Sequence, residues 1–200
     1  MRRTLYLLAA MLAGAVPTAS AQVRPITLAA RLDRAANNPT GLVVRVSGLL
    51  DDLEWQDYLL KSYTIQLHWT VQLWKKGGLL GGSAQPKTEW DVEVQAVPLL
   101  SSYAYTERVT NDHRVFETLD SLKTLLGAER TLRGPAPLRL SAGDWYYTVS
   151  VDITALTQEQ VDRRANGGGV DLGEMVRGLF SPGGRVSLNH PRIEFTVPGK

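Results

Sequence analysis

Thr64–Trp74, with the sequence TIQLHWTVQLW, is the stretch that decides the fold. Apolar residues occupy the odd positions from Ile65 to Leu73, and polar residues occupy the even positions from Thr64 to Gln72. A repeat of two residues over about ten positions is typical of a β-strand with one buried face and one wetter face. We therefore predict a long strand here, with its larger apolar side chains turned towards a core.

A second stretch repeats the pattern and predicts the partner of this strand. In Glu89–Ala96 the residues Trp90, Val92 and Val94 alternate with charged or amide side chains. The connection between the two stretches contains Gly77-Gly78 and Gly81-Gly82-Ser83, which favour a flexible turn. Two alternating stretches around such a connection predict an antiparallel hairpin.

The rest of the chain is predicted to consist of further short strands and a few short helices. A helix over 118–126 would begin at the capping residue Thr118, and Thr157 with Gln160 fits a capping box before another helix. The predicted strands are Ile26–Leu32, Leu42–Val46, Tyr103–Val109, Arg114–Glu117, Trp145–Ile153 and Ile193–Val197; the other predicted helices are Leu49–Lys61 and Asp171–Phe180. We therefore expect a mainly β protein, an antiparallel, immunoglobulin-like β-sandwich with two to four short helices.

The N-terminal segment is predicted to be a signal peptide covering residues 1–21. Arg2 and Arg3 precede the apolar run Leu5–Val16, and Ala19-Ser20-Ala21 fits a cleavage site. A short membrane anchor is the alternative, but the run is short for a bilayer span. We expect an exported protein, periplasmic or extracellular, with one β-sandwich-like domain over 22–200 and no transmembrane segment after cleavage.

The composition excludes several classes of catalytic site, metal site and partner. The chain has 200 residues and no cysteine, which excludes disulfides, thiolate catalysis and zinc–cysteine sites. It carries 22 Lys and Arg against 20 Asp and Glu, so removal of Arg2 and Arg3 leaves equal numbers of each sign. A neutral exported chain without a basic, aromatic-rich stretch is not expected to bind nucleic acid.

His68 is the residue best placed for acid–base or metal chemistry. It lies on the wetter face of the first strand, and Glu89, Asp91 and Glu93 lie on the corresponding face of the second. The alternative interpretation is a solvated sheet face with alternating charges. The other two histidines fall on turn signals: His113 and His190. Zinc-binding, nucleophilic-serine and phosphate-loop motifs do not occur, so no catalytic, cofactor-binding or metal-binding residue is predicted.

Aromatic residues suggest a recognition surface instead. Trp69, Trp90, Trp145 and Tyr147 fall on predicted core faces, whereas the pattern leaves Trp74, Tyr146, Tyr103 and Tyr105 open to the surface. Aromatic side chains outside a core mark recognition sites. The residues that we expect in this binding surface are Trp74, Lys75, Lys76, His68 and Tyr146.

Residues 49–156 resemble an uncharacterised bacterial exported family called domain of unknown function 4390. The matching features are Leu49-Leu50 before a short acidic helix, Tyr63–Lys75, Trp90-Asp91, Pro98–Tyr103, Phe116–Leu119 and Trp145–Tyr147. Family members characteristically carry Arg after the Leu-Trp pair, where this chain has Lys75 and Lys76. The resemblance implies export but no known activity.

The sequence therefore favours a non-enzymatic module that binds an envelope protein or ligand of unknown identity, without a cofactor. One alternative is a carrier of an apolar ligand such as a lipid, which needs an unfilled cavity lined by Leu67, Val92 and Val149. Another is a hydrolase that uses His68 with nearby carboxylates, which needs those side chains to converge in a cleft.

Overall fold

A computed structural model describes residues 25–33, 41–77, 83–132, 140–165 and 184–199. Several predicted features lie outside these ranges. They are the signal peptide at 1–21, most of the turn at 36–41, the middle of the glycine-rich connection at 77–83, and the helix Asp171–Phe180 with its flanking turns.

The described residues contain nine strands and three short α-helices. The strands are β1 (Thr27–Leu32), β2 (Leu42–Ser47), β3 (Thr64–Lys75), β4 (Thr88–Val97), β5 (Ser102–Glu107), β6 (Asp112–Phe116), β7 (Arg130–Leu132), β8 (Gly143–Leu156) and β9 (Arg185–Val197). The helices are α1 (Leu53–Leu60), α2 (Leu119–Leu126) and α3 (Gln158–Ala165), and 3-10 turns lie at Leu49–Asp51 and Pro98–Leu100.

The predicted hairpin forms the centre of the larger sheet. β3 and β4 pair in antiparallel register from Ile65 opposite Val94 to Val71 opposite Thr88. Trp69 therefore lies directly opposite Trp90, and the two rings stack with centroids 5.3 Å apart. The alternation read from the sequence thus turns the large apolar side chains of both strands to one buried face.

Two antiparallel sheets share one core. The six-stranded sheet has the order β6-β5-β4-β3-β8-β9, and the three-stranded sheet has the order β1-β2-β7. Val44 of the smaller sheet belongs to the same buried cluster as Ile65 and Val151 of the larger one. Burial of each such side chain contributes about 1.5–3 kcal/mol. The core therefore lies against one face of the six-stranded sheet, which we call the inner face. The opposite face, which we call the outer face, is turned away from this core.

Helices α2 and α3 begin where local sequence chemistry predicts. The Thr118 hydroxyl accepts a hydrogen bond from the Ser121 N–H at the start of α2, and the Gln160 side chain accepts one from the Thr157 N–H at 2.8 Å. The segment predicted as one helix over Leu49–Lys61 is divided, because the Asp52 carboxylate caps a new helix by accepting from the Glu54 N–H. No helix within the described ranges is long and apolar enough to cross a lipid bilayer.

The predicted fold class is confirmed as a mainly β, antiparallel, sandwich-like arrangement with short helices. The immunoglobulin-like part of that prediction is not confirmed. In the described ranges the sheets have six and three strands, whereas the constant-type immunoglobulin domain has four and three.

Both histidines predicted in turns lie in strands, so those two predictions are wrong. His113 lies in β6, opposite Thr106. The turn before β6 ends at Asn111, whose φ is 53°, so Asp112 and His113 already belong to the strand. His190 lies in β9 opposite Val149. The turn-like Asn-His-Pro sequence instead accompanies a β-bulge, since β9 uses one extra residue between His190 and Ile193.

Candidate binding surface

The outer face of the six-stranded sheet carries the polar positions of its strands. Cross-strand pairs on this face place His68 of β3 beside Asp91 of β4 on one side and Asp152 of β8 on the other. Towards the other end of β3, Trp74 pairs with Tyr146 of β8. Residues that are far apart in the chain therefore meet on one open face.

Trp74, Tyr146 and Arg192 form a row across three neighbouring strands, which we call the aromatic row. The rings of Trp74 and Tyr146 are nearly parallel, with an interplanar angle of 6° and centroids 6.3 Å apart. The Arg192 guanidinium lies over the Tyr146 ring, 4.7 Å from its centroid. The Trp74 indole N–H donates to the Thr148 hydroxyl at 3.2 Å. These contacts orient two half-buried aromatic rings outside the core.

The two lysines after Trp74 point to opposite faces. Lys76 lies on the outer side, where its Nζ is 2.6 Å from a Glu194 carboxylate oxygen. The Lys75 ammonium donates to the Ser141 hydroxyl and lies over the Trp145 ring, whose position is on the core face. The strand continues its alternation through Lys75, so Lys76 accompanies the aromatic row and Lys75 does not.

His68 lies between carboxylates. Its Nδ1 is 2.8 Å from an Asp91 oxygen and its Nε2 is 3.3 Å from a Glu89 oxygen. Both carboxylates can only accept, so the ring donates from both nitrogens when it is protonated. Among the described residues no Ser or Thr hydroxyl bonds to either nitrogen. The His68, Glu89 and Asp91 side chains are all partly exposed on the sheet face, at 40%, 42% and 31%.

The carboxylates around His68 are held by cations as well. The Lys87 ammonium, 2.5 Å from Glu89, is the main cause that lowers the pKa of the Glu89 carboxyl, and His68 adds to the same effect. Arg108 binds Glu93 at 2.7 Å. In the parts of the chain described, no group of three or more His, Asp or Glu side chains is placed to share a metal ion. This half of the outer face is a ladder of ion pairs, and those that are exposed to solvent contribute little to stability.

Tyr103 and Tyr105 do not lie on the recognition surface, contrary to expectation. Tyr105 is 1% exposed and Tyr103 is half-buried against the core. Burial raises the pKa of the Tyr105 hydroxyl, while Arg130 opposes that rise. Arg130 of β7 donates to the Tyr105 hydroxyl and binds the Glu107 carboxylate at 3.0 Å. This small polar network connects the two sheets, so we assign these residues to the stability of the fold and not to the binding surface.

Arg192 is the member of the aromatic row that the sequence analysis missed. Pro191 and Arg192 are both exposed because the bulge in β9 breaks the strict alternation there. The available signal was Pro191 itself, since proline inside a strand pattern indicates an edge strand or a bulge. Reading Asn189-His190-Pro191 as a turn removed this stretch from the predicted sheet.

The interior gives little support for a ligand cavity between the sheets. Leu67, Val92 and Val149 are all buried within the packed core cluster. The structure has an open cleft of about 410 Å³ that lies elsewhere, between the β2 end and α2, and is lined by residues including Arg45, Leu50 and Lys123. None of the three residues expected to line a carrier cavity lines this cleft.

Four of the five predicted surface residues thus lie on the outer face: Trp74, Tyr146, Lys76 and His68. His68 and Trp74 are six residues apart along β3, so they occupy different parts of that face. The aromatic row is the more distinctive part, because it combines stacked rings with a cation. No family model, curated protein or solved structure matches this chain.

Proposed function

We propose that the protein is an exported, non-catalytic binding module of the cell envelope, and that the outer face of its larger sheet is the contact surface. The aromatic row is the observation that carries this proposal. Trp74 and Tyr146 lie on the face turned away from the core, yet their orientation is fixed by Thr148 and Arg192.

The three residue types in the aromatic row are typical of binding surfaces. Trp, Tyr and Arg are the residue types enriched among the side chains that dominate binding energy in interfaces. Trp and Tyr present large areas at small entropic cost, and parallel stacking reduces that cost further. A contact surface therefore explains two ordered rings outside the core better than edge packing alone does.

The proposal of export rests on the N-terminal sequence. A basic pair, an apolar run and a small-residue cleavage site precede the domain. The unknown partner is accordingly sought among envelope components.

A hydrolase is not the function that we propose, because His68, Glu89 and Asp91 are partly exposed on the sheet face and are engaged in ion pairs there. A lipid carrier is not proposed either, because Leu67, Val92 and Val149 are packed into the core.

The test is affinity capture from envelope extracts with the purified protein and a Trp74→Ala variant. Leu99→Ala is the matched control, since Leu99 is 99% exposed and lies in the β4–β5 turn at the other end of the sheet. We expect the unchanged protein and the control to retain the same component and Trp74→Ala to lose it, with all three showing the same circular dichroism. Equal retention by Trp74→Ala would contradict the proposal.

A further inference from the structure

Three of the four edge strands in the described ranges are protected against pairing with another chain. The edge strands are β1 and β7 in the smaller sheet and β6 and β9 in the larger one. β1 lies alongside β9, so these two edges meet on one side of the sandwich. β9 also carries a bulge and Pro191, and β7 has only three residues. Covering, bulges, proline and short length are the devices by which proteins keep sheet edges from pairing.

β6 lacks these devices. Its five residues, Asp112–Phe116, pair in unbroken register with β5 and include neither proline nor glycine. Within the described ranges no strand pairs with the other side of β6. His113, Arg114 and Val115 are exposed, and Val115 keeps 56% of its surface open to solvent. The free backbone N–H and C=O groups of β6 are therefore accessible to another extended backbone.

The charges of β6 limit which backbone can pair with it. Asp112 and Arg114 are two positions apart, so both side chains point to the same face, and Arg114 Nη2 is 2.7 Å from Asp112 Oδ2. Addition of an apolar strand would cover these charges without giving them partners, which is unfavourable. A strand that places a cation opposite Asp112 and a carboxylate opposite Arg114 avoids that cost. The edge therefore favours a partner strand with complementary charges.

β6 itself has those charges when its direction is reversed. We propose that β6 pairs in antiparallel register with β6 of a second copy of this chain, around a two-fold axis at His113. Asp112 of each copy then lies opposite Arg114 of the other, and the two larger sheets become one continuous sheet. Directly opposite side chains have Cβ atoms about 4.5–5.5 Å apart, which is close enough for an ion pair. The ion pairs between the copies thus extend the pair that already exists within each copy.

The other registers are less favourable. An axis at Arg114 would place two guanidinium groups directly opposite each other, and like charges in that position destabilise a sheet. An axis at Val115 would bring the two Val115 side chains together and leave Asp112 beyond the paired residues. A ladder of this length is small beside the roughly 1,200–2,000 Å² that stable complexes bury, so we expect a reversible dimer that forms at high concentration.

The experiment is sedimentation equilibrium of the purified protein up to about 1 mM, a range that covers weak association. We expect a monomer–dimer equilibrium. The two-fold axis means that one substitution changes two ion pairs, so Asp112→Arg and Arg114→Asp should each weaken the dimer about tenfold or more. The double variant exchanges the two charges and should restore the dimer. Lys61→Asp is the matched control, because it reverses the cation of another exposed ion pair, on α1, and should leave the dimer unchanged.

Each outcome decides the proposal. A monomer at every concentration overturns it, and so does a dimer that neither single charge reversal weakens. A double variant as weakly associated as the single ones overturns the register. Val115 points to the opposite face, so Val115→Lys should retain the dimer, and loss of the dimer in this variant alone contradicts the axis at His113.

Hydrogen exchange of the unchanged protein gives a test that does not depend on the folding of any variant. We expect the amides of Asp112–Phe116 to exchange more slowly at about 1 mM than at about 10 µM, because pairing satisfies the free edge. Exchange in this strand that does not depend on concentration overturns the pairing of the β6 edges.

Discussion

Tyr147 gives the fold a predictable sensitivity to alkali. It lies on the inner face of β8, is 3% exposed, and packs against Phe195 with ring centroids 5.7 Å apart. Burial raises the pKa of its hydroxyl from 10.0 to about 12, because the phenolate would lose its hydration. The folded protein therefore holds this proton more tightly than the unfolded chain does.

The sign and size of the effect follow from that difference. Below the unfolded pKa both states are protonated, and the full stability is present. As the pH rises from about 10 through about 12 the unfolded chain loses the proton first, so the free energy of unfolding falls. Each pKa unit is worth about 1.4 kcal/mol, and a gap of roughly two units corresponds to a loss of about 2–3 kcal/mol.

Tyr147→Phe tests this account because it keeps the ring and removes the titrating hydroxyl. Urea unfolding followed by tryptophan fluorescence, between about pH 8 and about pH 12, gives the free energy at each pH. We expect the variant to lose about 2–3 kcal/mol less than the unchanged protein over this range. Some decline remains, since burial also raises the pKa of Tyr105.

Val149→Ala is the matched control, on the same strand and the same face. Loss of buried apolar volume lowers stability at every pH and leaves the alkaline slope as it was. If Tyr147→Phe and the unchanged protein show the same slope above about pH 10, the reasoning from burial to pKa is refuted.

Four further predictions concern stability. Trp90→Ala removes half of the central ring stack, and we expect it to cost roughly 3–5 kcal/mol in urea unfolding. Arg130→Met leaves the Glu107 carboxylate, whose side chain is 17% exposed, without its cation, so we expect the free energy of unfolding to fall by about 3 kcal/mol. The double variant with Glu107→Leu should recover most of that loss. A double variant that is no more stable than the single one refutes this account. Thr118→Ala removes the cap of α2, and thermal unfolding should show a loss of about 1 kcal/mol, whereas Thr118→Ser should retain most of it. Leu99→Ser should change stability by less than about 0.5 kcal/mol, and a larger loss would mean that this side chain is buried in solution.

Local periodicity explains why much of the fold is readable from the sequence. In β3 and β4 the side chains alternate without interruption, so the buried face and the hairpin are both predictable. The caps at Thr118 and Thr157 depend on residues within three positions, and they too were predicted correctly. The same alternation, continued past Trp74, separates Lys75 from Lys76, although the two were expected on one surface.

Where local signals conflict, the sequence gives the wrong assignment. Asn189-His190-Pro191 has the composition of a turn, but pairing with β8 keeps this stretch extended and absorbs the extra residue in a bulge. Tyr105 was expected on the surface, yet Arg130 of the other sheet donates to its hydroxyl and allows the side chain to be buried. Both errors arise from contacts with residues far away in the chain.

The sequence by itself determined the long alternating strands β3, β4 and β8, the face that each of them buries, and the chemistry excluded by the lack of cysteine, because these depend on residue types and on a repeat of two. Only the tertiary structure decided which strands lie on either side of the β3–β4 hairpin. Trp74, Tyr146 and Arg192 form a row because β8 pairs with β3 and β9 pairs with β8. A repeat of two fixes the direction of a side chain and carries no information about the strand beside it, so the candidate surface follows from long-range pairing.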